Sequence, residues 1–351
     1  MSSKRLPRVT LIDFAAQALR AVSVREDHSQ TTAQRLVEAD ERGRTGHGLI
    51  RLGPYISRIE AGGVNLDPAI EVLHETPTSA LIDGDNGLGQ VVMTQATELA
   101  IEKAKTSGMA WIGTTRSNHA GAAGLYPMLA ARHELISMYF AVANANGMAP
   151  SGGTNPLLGT NPIAIAIPAK DSPPFLLDIA TTQTSHGSIK VAAQNGEQMP
   201  IGWVVDKDGE PITDPNRAGE GTLLPMGGYK GSGLNIAIGL LAGAMNGAAF
   251  LSSVIDHRLE PSTPTNTGQA IFVMRADLFQ PADDALASTA AHLEELRNSG
   301  TADGGPLRLP GDSAGAMEAE SAELGVAVST VLVETLDALA ERLEIEPLPN
   351  A

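Results

Sequence analysis

His119 stands in Thr114–Thr115–Arg116–Ser117–Asn118–His119–Ala120–Gly121, a polar run that follows the apolar stretch from Met109 and precedes a helical pattern. An imidazole titrates near neutrality, so a histidine at the carboxyl end of a buried strand suits reversible proton transfer; the place also suits a helix-capping histidine. His47 and Arg51 are four residues apart in TGHGLIR, on one face of a helix if one begins near His47. Such a pair could receive a carboxylate, the guanidinium giving two coplanar donors and the imidazole a third or a proton, or it could brace a helix start. Asp178, in the otherwise apolar LLDIAT, must be paired if buried, and could orient a histidine or hold an amide or hydroxyl. Asn155, Gly159, Thr160 and Asn161 crowd the loop TNPLLGTNP, which could bind a ligand or satisfy its own turns. In GGYKGSG (227–233), free backbone N–H groups, the charge of Lys230 and a following helix make a place for phosphate or another anion, or else a tight turn.

The elements that position these residues read as α/β. Thr10 with Asp13 has the spacing of a capped amphipathic helix, a second helix is expected over about 32–42, and a third over about 49–61, ending at Gly62–Gly63. From about residue 80 strand-like and helix-like pieces alternate: a helix from DGDNGLG to about Lys105, a strand at 109–114, and a helix in GAAGLYPMLAARHE. Strands are expected at 135–144, 162–168, 175–181 and 269–274, a hairpin or exposed turn after Trp203, and helices from about Leu234, at 283–297 and at 330–342. Residues 298–320, rich in Gly, Ala, Asp and Pro, read as a loose surface crossing.

Length sets a prior of about two domains. With 24 Lys+Arg against 40 Asp+Glu the net charge is −16, which argues against nucleic acid or an anionic membrane as partner. The last 41 residues carry nine acids and one Arg, about half of that charge, so it describes an acidic face. Cysteine is absent, which excludes disulfides, thiol nucleophiles and Cys-ligated metal. The start lacks the apolar core of a signal peptide, and the apolar stretch 234–250 is interrupted by glycines and asparagines, so a cytoplasmic protein with no membrane span is expected. The common fingerprints fail. Gly87–Leu88–Gly89 is not followed by glycine at 92, and Lys230 is not followed by Ser or Thr.

Taken in order, GHGLIRLGPY, TTRSNHAGAAGLY, LLGTNPIAIAIP, LLDIATT, the GW…TDP segment and LLPMGGYKGSGL resemble the malate/L-lactate dehydrogenase family, over about residues 7–345. That family is unrelated to the Rossmann-type lactate and malate dehydrogenases, and includes sulfolactate and ureidoglycolate dehydrogenases and reductases of piperideine- and pyrroline-2-carboxylate. The resemblance implies a family-specific α/β NAD(P)-binding fold distinct from the Rossmann fold, with a helical N-terminal region. It also implies a terminal domain of residues 1–80 plus about 300–351 beside a central cofactor-binding region of about 81–299, and a homodimer. The activity implied is reversible hydride transfer between nicotinamide and C2 of a small 2-hydroxy or 2-oxo acid. The alternatives are NADPH-dependent reduction of cyclic 2-imino acids, and a non-catalytic ligand-binding homologue. By position, His119 matches the proton donor/acceptor, and His47 and Arg51 match the substrate-binding pair. Asn144, the stretch Asp178–Ile179–Ala180, Lys230 and Thr267–Gly268–Gln269 match cofactor contacts, and Gly159, Thr160 and Asn161 match a signature lining the cleft. Asp178 is expected to tune the catalytic region. The cofactor is NAD or NADP, leaning to NADP, the substrate is an anionic small molecule, and no metal is required. Three positions depart from the pattern: Gly46 replaces a common Ser, Ser188 a common Lys, and SAELGV lacks an Arg.

Overall fold

The structure, a computed structural model, describes residues 3–302, 304–305 and 307–349. The chain opens with β1 (Ser3–Leu6), α1 (Arg8–Ala21), α2 (Glu26–Glu41) and, after two single 3₁₀ turns at Thr45–His47 and Leu49–Arg51, α3 (Leu52–Glu60). On α1, Leu11, Ala15, Ala18 and Leu19 recur at the spacing of one helix face and are buried against α2 and α3. Val326 and Val328, with Val333, Leu336 and Ala340, close the same core from the far end of the chain, because β1 pairs antiparallel with β11 (Val326–Ser329), which leads into α10 (Thr330–Leu343).

The central sheet has seven strands in the order β2 (Glu71–Thr76), β3 (Ser79–Asp83), β4 (Met109–Ser117), β10 (Thr267–Arg275), β5 (Leu135–Ala141), β6 (Ile163–Ala169) and β7 (Ser172–Ile179). Only β3 and β4 run parallel, joined by the crossover helix α4 (Gly89–Ser107); the other neighbours are antiparallel. This mixed sheet is not a Rossmann sheet. Val92, Ala96, Ala100 and Ala104 form a stripe of small residues along α4, which lets it lie close on β4 and β10. α5 (Leu125–Ala131) packs beside it on β5. The remaining elements are α6 (His186–Asn195), the short pair β8 (Val204–Val205) and β9 (Thr222–Leu223), α7 (Tyr229–Ala242), α8 (Ala282–Arg297) and α9 (Asp312–Leu324).

Several expected boundaries move for local reasons. α1 begins at Arg8 directly after Pro7, without the side-chain cap expected from Thr10, and α2 begins at Glu26, with Glu26 and Asp27 complementing its N-terminal dipole. The expected helix from Leu49 becomes a helix only at Leu52, because Gly48, extended at ψ −147°, separates the two 3₁₀ turns. The expected loose crossing over 298–320 ends at Asp312, where an ion pair to Arg297 (2.8 Å) anchors the start of α9. Strands β1, β2, β3 and β11 and helix α6 are additions to the sequence reading.

Candidate functional site

β4 delivers Asn118 and His119 to the end of the sheet, where α4 begins against them. A Cβ at Gly89 would lie 2.3 Å from the Asn118 carbonyl oxygen and 2.5 Å from that of His119, so only glycine permits this approach. Asn118 donates to Asn86 O (3.0 Å) and Gly87 O (2.9 Å), and accepts from Arg58 Nη2 (2.9 Å) and Thr265 Oγ1 (3.1 Å). Its own carbonyl accepts from Gln269 Nε2 (2.8 Å). The backbone at His119 is therefore fixed from four sides.

The ring of His119 has Tyr55 Oη 2.6 Å from Nδ1, the Gly121 N–H 3.3 Å from the same nitrogen, and Gln90 Nε2 donating to Tyr55 Oη (2.8 Å). His47 stacks on it (centroids 5.6 Å apart, planes 17° apart), and His257 stands 6.0 Å away at 51°. A narrow cavity of about 10 Å³ opens here, lined by Tyr55, Arg58, Asn118, His119, Asn144 and His257 with the apolar Val64 and Leu88. Arg51 donates to Gly46 O (2.7 Å) and Arg58 to Gly63 O (2.8 Å); neither forms an ion pair with a described acid.

Cations without counter-charges, in dense surroundings, dominate the electrostatics. Burial pushes His119 well below the usual imidazole range, and His47, Arg51, His257 and Arg58 add to the shift. Burial likewise takes His47 down to about 4, with Arg51 and Arg44 contributing, and His257 to about 4, with Arg58 the next cause. Tyr55 is pushed up to about 12 by burial, so its phenol keeps its proton. Two neutral imidazoles, His119 and His257, thus face a cavity lined by the guanidinium of Arg58, with His47 stacked on His119 and Arg51 nearby, an arrangement that favours an anion. An anion bound there raises the proton affinity of His119. Although three histidines converge, no group of His, Asp or Glu among the described residues is arranged to hold a metal ion.

The other expected residues fall into three settings. Asn144 lines the cavity and is bonded to Thr267 Oγ1. Thr267, Gly268 and Gln269, expected as cofactor contacts, are buried within β10: Thr267 holds Asn144, Gln269 accepts from Thr114 (2.6 Å) and holds Asn118, and Gly268 lies against Ala242 O. Thr267 and Gln269 thus each hold a residue that lines the cavity, Asn144 and Asn118. Asp178, expected near the catalytic histidine, instead faces Arg44 (3.4 Å) and the backbone of Gly124, with burial raising its carboxyl and Arg44 opposing. Ile179 and Ala180, half-buried, follow it.

Gly159 and Thr160 act through backbone: Gly159 O accepts from Asn235 Nδ2 (2.8 Å), and Thr160 O from Thr181 N–H (3.0 Å) and Oγ1 (3.0 Å). Asn161 bonds Ala143 N–H (3.0 Å) and Asn235 (2.8 Å), tying this turn to the segment after β5 and to α7. A second, larger cavity of about 410 Å³ lies at the start of α7, walled by Ser151–Gly153, Thr222–Pro225 and Gly227–Gly228. Gly227 (φ 60°) and Gly228 (φ 65°) turn the chain into α7 through left-handed conformations open only to glycine without strain. Lys230, on the first turn of α7, is exposed and unpaired among the described residues.

A sequence model of the malate/L-lactate dehydrogenase family matches residues 6–337. The chain belongs to this family. It is 38% identical over 295 residues to the L-sulfolactate dehydrogenase of Methanocaldococcus jannaschii, covering 84% of each chain. It is 34% identical over 354 residues to the malate dehydrogenase of Pyrococcus horikoshii, covering 98% and 97%. The solved structure of delta1-piperideine-2-carboxylate reductase from Pseudomonas syringae pvar. tomato superposes with a TM-score of 0.86 at 27% identity, covering 96% and 100%. This malate/L-lactate dehydrogenase family member is an NAD(P)-dependent oxidoreductase with a mixed α/β fold; relatives named for NAD and for NADP both occur. No helix among the described residues is long and apolar enough to cross a membrane.

The residues present suit a nicotinamide dinucleotide. Lys230 is an exposed cation without a partner beside glycine N–H groups at a helix start, and the neighbouring cavity exceeds the His119 cavity in volume. Four residues that meet around His119 are not among those the sequence singles out. Tyr55 and Arg58 continue the stripe that Arg51 begins, at i+4 and i+7, a spacing that would have placed them on the same helix face. Gln90 sits one residue inside α4 and is legible only once that helix is packed on β4. His257 arrives from a loop, and no spacing in the sequence connects it to His119.

Proposed function

We propose that the protein interconverts a small 2-oxo acid and the corresponding 2-hydroxy acid with NAD(P)H. The observation that carries this reading is the placement of His119 on a cavity that Arg58 lines, with Arg51 near enough to depress the imidazole, neither arginine having an acidic partner among the described residues. The nicotinamide, when bound, supplies or accepts the hydride at C2. Arg51 holds the C1 carboxylate and, with His47, fixes the reacting carbon beside His119. His119, once protonated in the presence of the anion, gives its proton to the C2 oxygen as charge develops there, and recovers it from the hydroxyl in the reverse direction. Tyr55 and Leu88 help exclude water.

Asn144, Gly159, Ile179, Ala180 and Lys230 are proposed to hold the cofactor, Lys230 on its phosphates, and Thr160 to contact the substrate. Thr267, Gly268 and Gln269 are proposed to support that wall. Asp178 is proposed to act through Arg44, bracing the loop that carries His47. NADP is the favoured cofactor, and the protein is proposed to work in the cytoplasm as a homodimer.

A second reading, reduction of a cyclic 2-imino acid, is favoured by the structural likeness to the Pseudomonas syringae reductase. The chemistry differs only in the atom that His119 protonates, a ring nitrogen in place of an oxygen. Initial rates of NADH and NADPH oxidation with oxaloacetate, pyruvate, sulfopyruvate and piperideine-2-carboxylate separate the two. Turnover of an oxo acid at least tenfold faster than the imine is expected, and the reverse ratio assigns imine reduction. Absence of turnover together with absence of NADH and NADPH binding overturns both.

A further inference from the structure

We propose that Tyr55, held by Gln90, is a positioning residue that partners Nδ1 of His119 in both protonation states of the ring, so that Nε2 always faces the cavity. The proposal rests on the assignment of His119 as the proton-transferring group.

The directions of the hydrogen bonds carry it. The Gly121 N–H can only donate, and it points at Nδ1 (3.3 Å), so Nδ1 presents its lone pair. Tyr55 Oη, 2.6 Å away, then donates to Nδ1, while Gln90 Nε2 donates to the phenol oxygen (2.8 Å). The neutral ring accordingly carries its proton on Nε2. Among the described residues no carboxylate contacts His119; the expected candidate, Asp178, is engaged with Arg44. A carboxylate could only accept from Nδ1, whereas a phenol can do either.

That freedom matches what the reaction needs. When the anionic substrate draws a proton from solvent onto Nδ1, the phenol oxygen accepts from Nδ1–H, the long Gly121 N–H contact is given up, and the phenol's own hydrogen needs a new acceptor. Gln90 Oε1 is buried and has no partner, and rotation of the amide brings it to the phenol. Nε2–H then passes its proton to the C2 oxygen. The ring is left neutral with Nδ1–H bonded to Tyr55 and a lone pair on Nε2, the form that accepts the hydroxyl proton in the reverse direction. One proton leaves Nε2 and one bond forms at oxygen; Tyr55 loses none, as befits a phenol that burial pushes up to about 12.

The test is Tyr55→Phe, which keeps the ring and removes only the hydroxyl. Expected are a 10- to 100-fold fall in kcat for reduction, KM changed by less than about threefold, and unchanged NAD(P)H binding. The limb on which reduction falls with rising pH moves to lower pH, because the imidazolium has lost its Nδ1–H acceptor. The charged and titratable groups facing His119 (His47, His257, Arg51 and Arg58) are the same in both proteins. Gln90→Leu shifts both readouts in the same direction by less. Loss of kcat with an unmoved pH limb, or no change in either, overturns the proposal. If Tyr55→Phe does not fold, ¹⁵N NMR of imidazole-labelled wild-type protein decides: the substrate-free ring is expected with Nε2 protonated and Nδ1 bare, and Nδ1–H there overturns the proposal. A wild-type protein that reduces nothing, yet shows the Nε2–H ring, removes the reaction assigned to His119 and leaves the bonding arrangement standing.

Discussion

Around His119 the cavity wall consists largely of side chains: two imidazoles, a guanidinium, a phenol and two carboxamides, several of them held by hydrogen bonds to one another or to backbone. Around Gly227–Gly228 the wall is largely backbone and small residues, and the charge beside it, Lys230, is exposed. The first region restricts which atoms can approach and in what protonation state. The second offers N–H groups, one exposed charge and room, which suits a long anionic group held at many weak points. Substitutions in the first should therefore act on turnover, and substitutions in the second on affinity.

The largest effect expected from this contrast is at His119. His119→Gln retains a polar side chain and removes the titratable group, so kcat should fall by about 10²–10⁴-fold, the range for loss of a general acid–base. NAD(P)H binding, followed by fluorescence titration, should change less than threefold. A parallel loss of binding would break the division between the regions. At Lys230 the pattern should invert. Lys230→Ala should raise the KM for the cofactor about tenfold, as expected for one charge-assisted contact, and leave kcat within twofold. A fall in kcat with unchanged KM would place Lys230 in the chemistry.

The two regions also differ in how far the sequence reveals them. His119, His47 and Arg51 were legible because each sits in a short polar run whose spacing already states a chemistry. The glycines and lysine of GGYKGSG were legible for the same reason, although the helix there starts at Tyr229, five residues before the apolar run at Leu234 suggested. What the sequence did not show is what reaches His119 from elsewhere: Gln90 from α4, His257 from the loop before β10 and Arg58 two turns along from Arg51. The His257 contact depends on β10 lying beside β4, and the others on how α3 and α4 pack at the end of β4, arrangements no local pattern encodes. Asp178 shows the converse. Its apolar strand implied a buried, paired carboxylate, and it is paired, but the partner is Arg44 rather than the histidine. Burial could be inferred locally, whereas the identity of the partner could not.

The smallest effect concerns stability, and it asks whether the side-chain-built region carries an energetic cost that the backbone-built one lacks. Asp40 lies under the turn that bears His47: Oδ2 accepts the Leu49 N–H (2.8 Å), Oδ1 is buried without a partner, and burial, with Glu41 adding, raises the carboxyl to about 7. A folded value above the unfolded one near 3.9 means that the folded state binds more protons across that window, so stability declines as pH rises from about 4 to about 7 and stays reduced above it. Asp40→Asn keeps an oxygen for the Leu49 N–H and cannot ionise. Its melting temperature relative to wild type should therefore rise between pH 4.5 and pH 8, by a few degrees, for a difference on the order of 1–3 kcal/mol. The buried histidines act with the opposite sign. His47 and His257, neutral down to about 4, contribute stability that is complete above about 6.5 and is lost as pH falls toward 4. Both proteins carry these histidines, so the difference between their melting curves isolates Asp40. A constant difference across this pH range would mean that the carboxylate beneath the turn is solvated, and that the turn holding His47 and Arg51 is looser than its hydrogen bonds indicate.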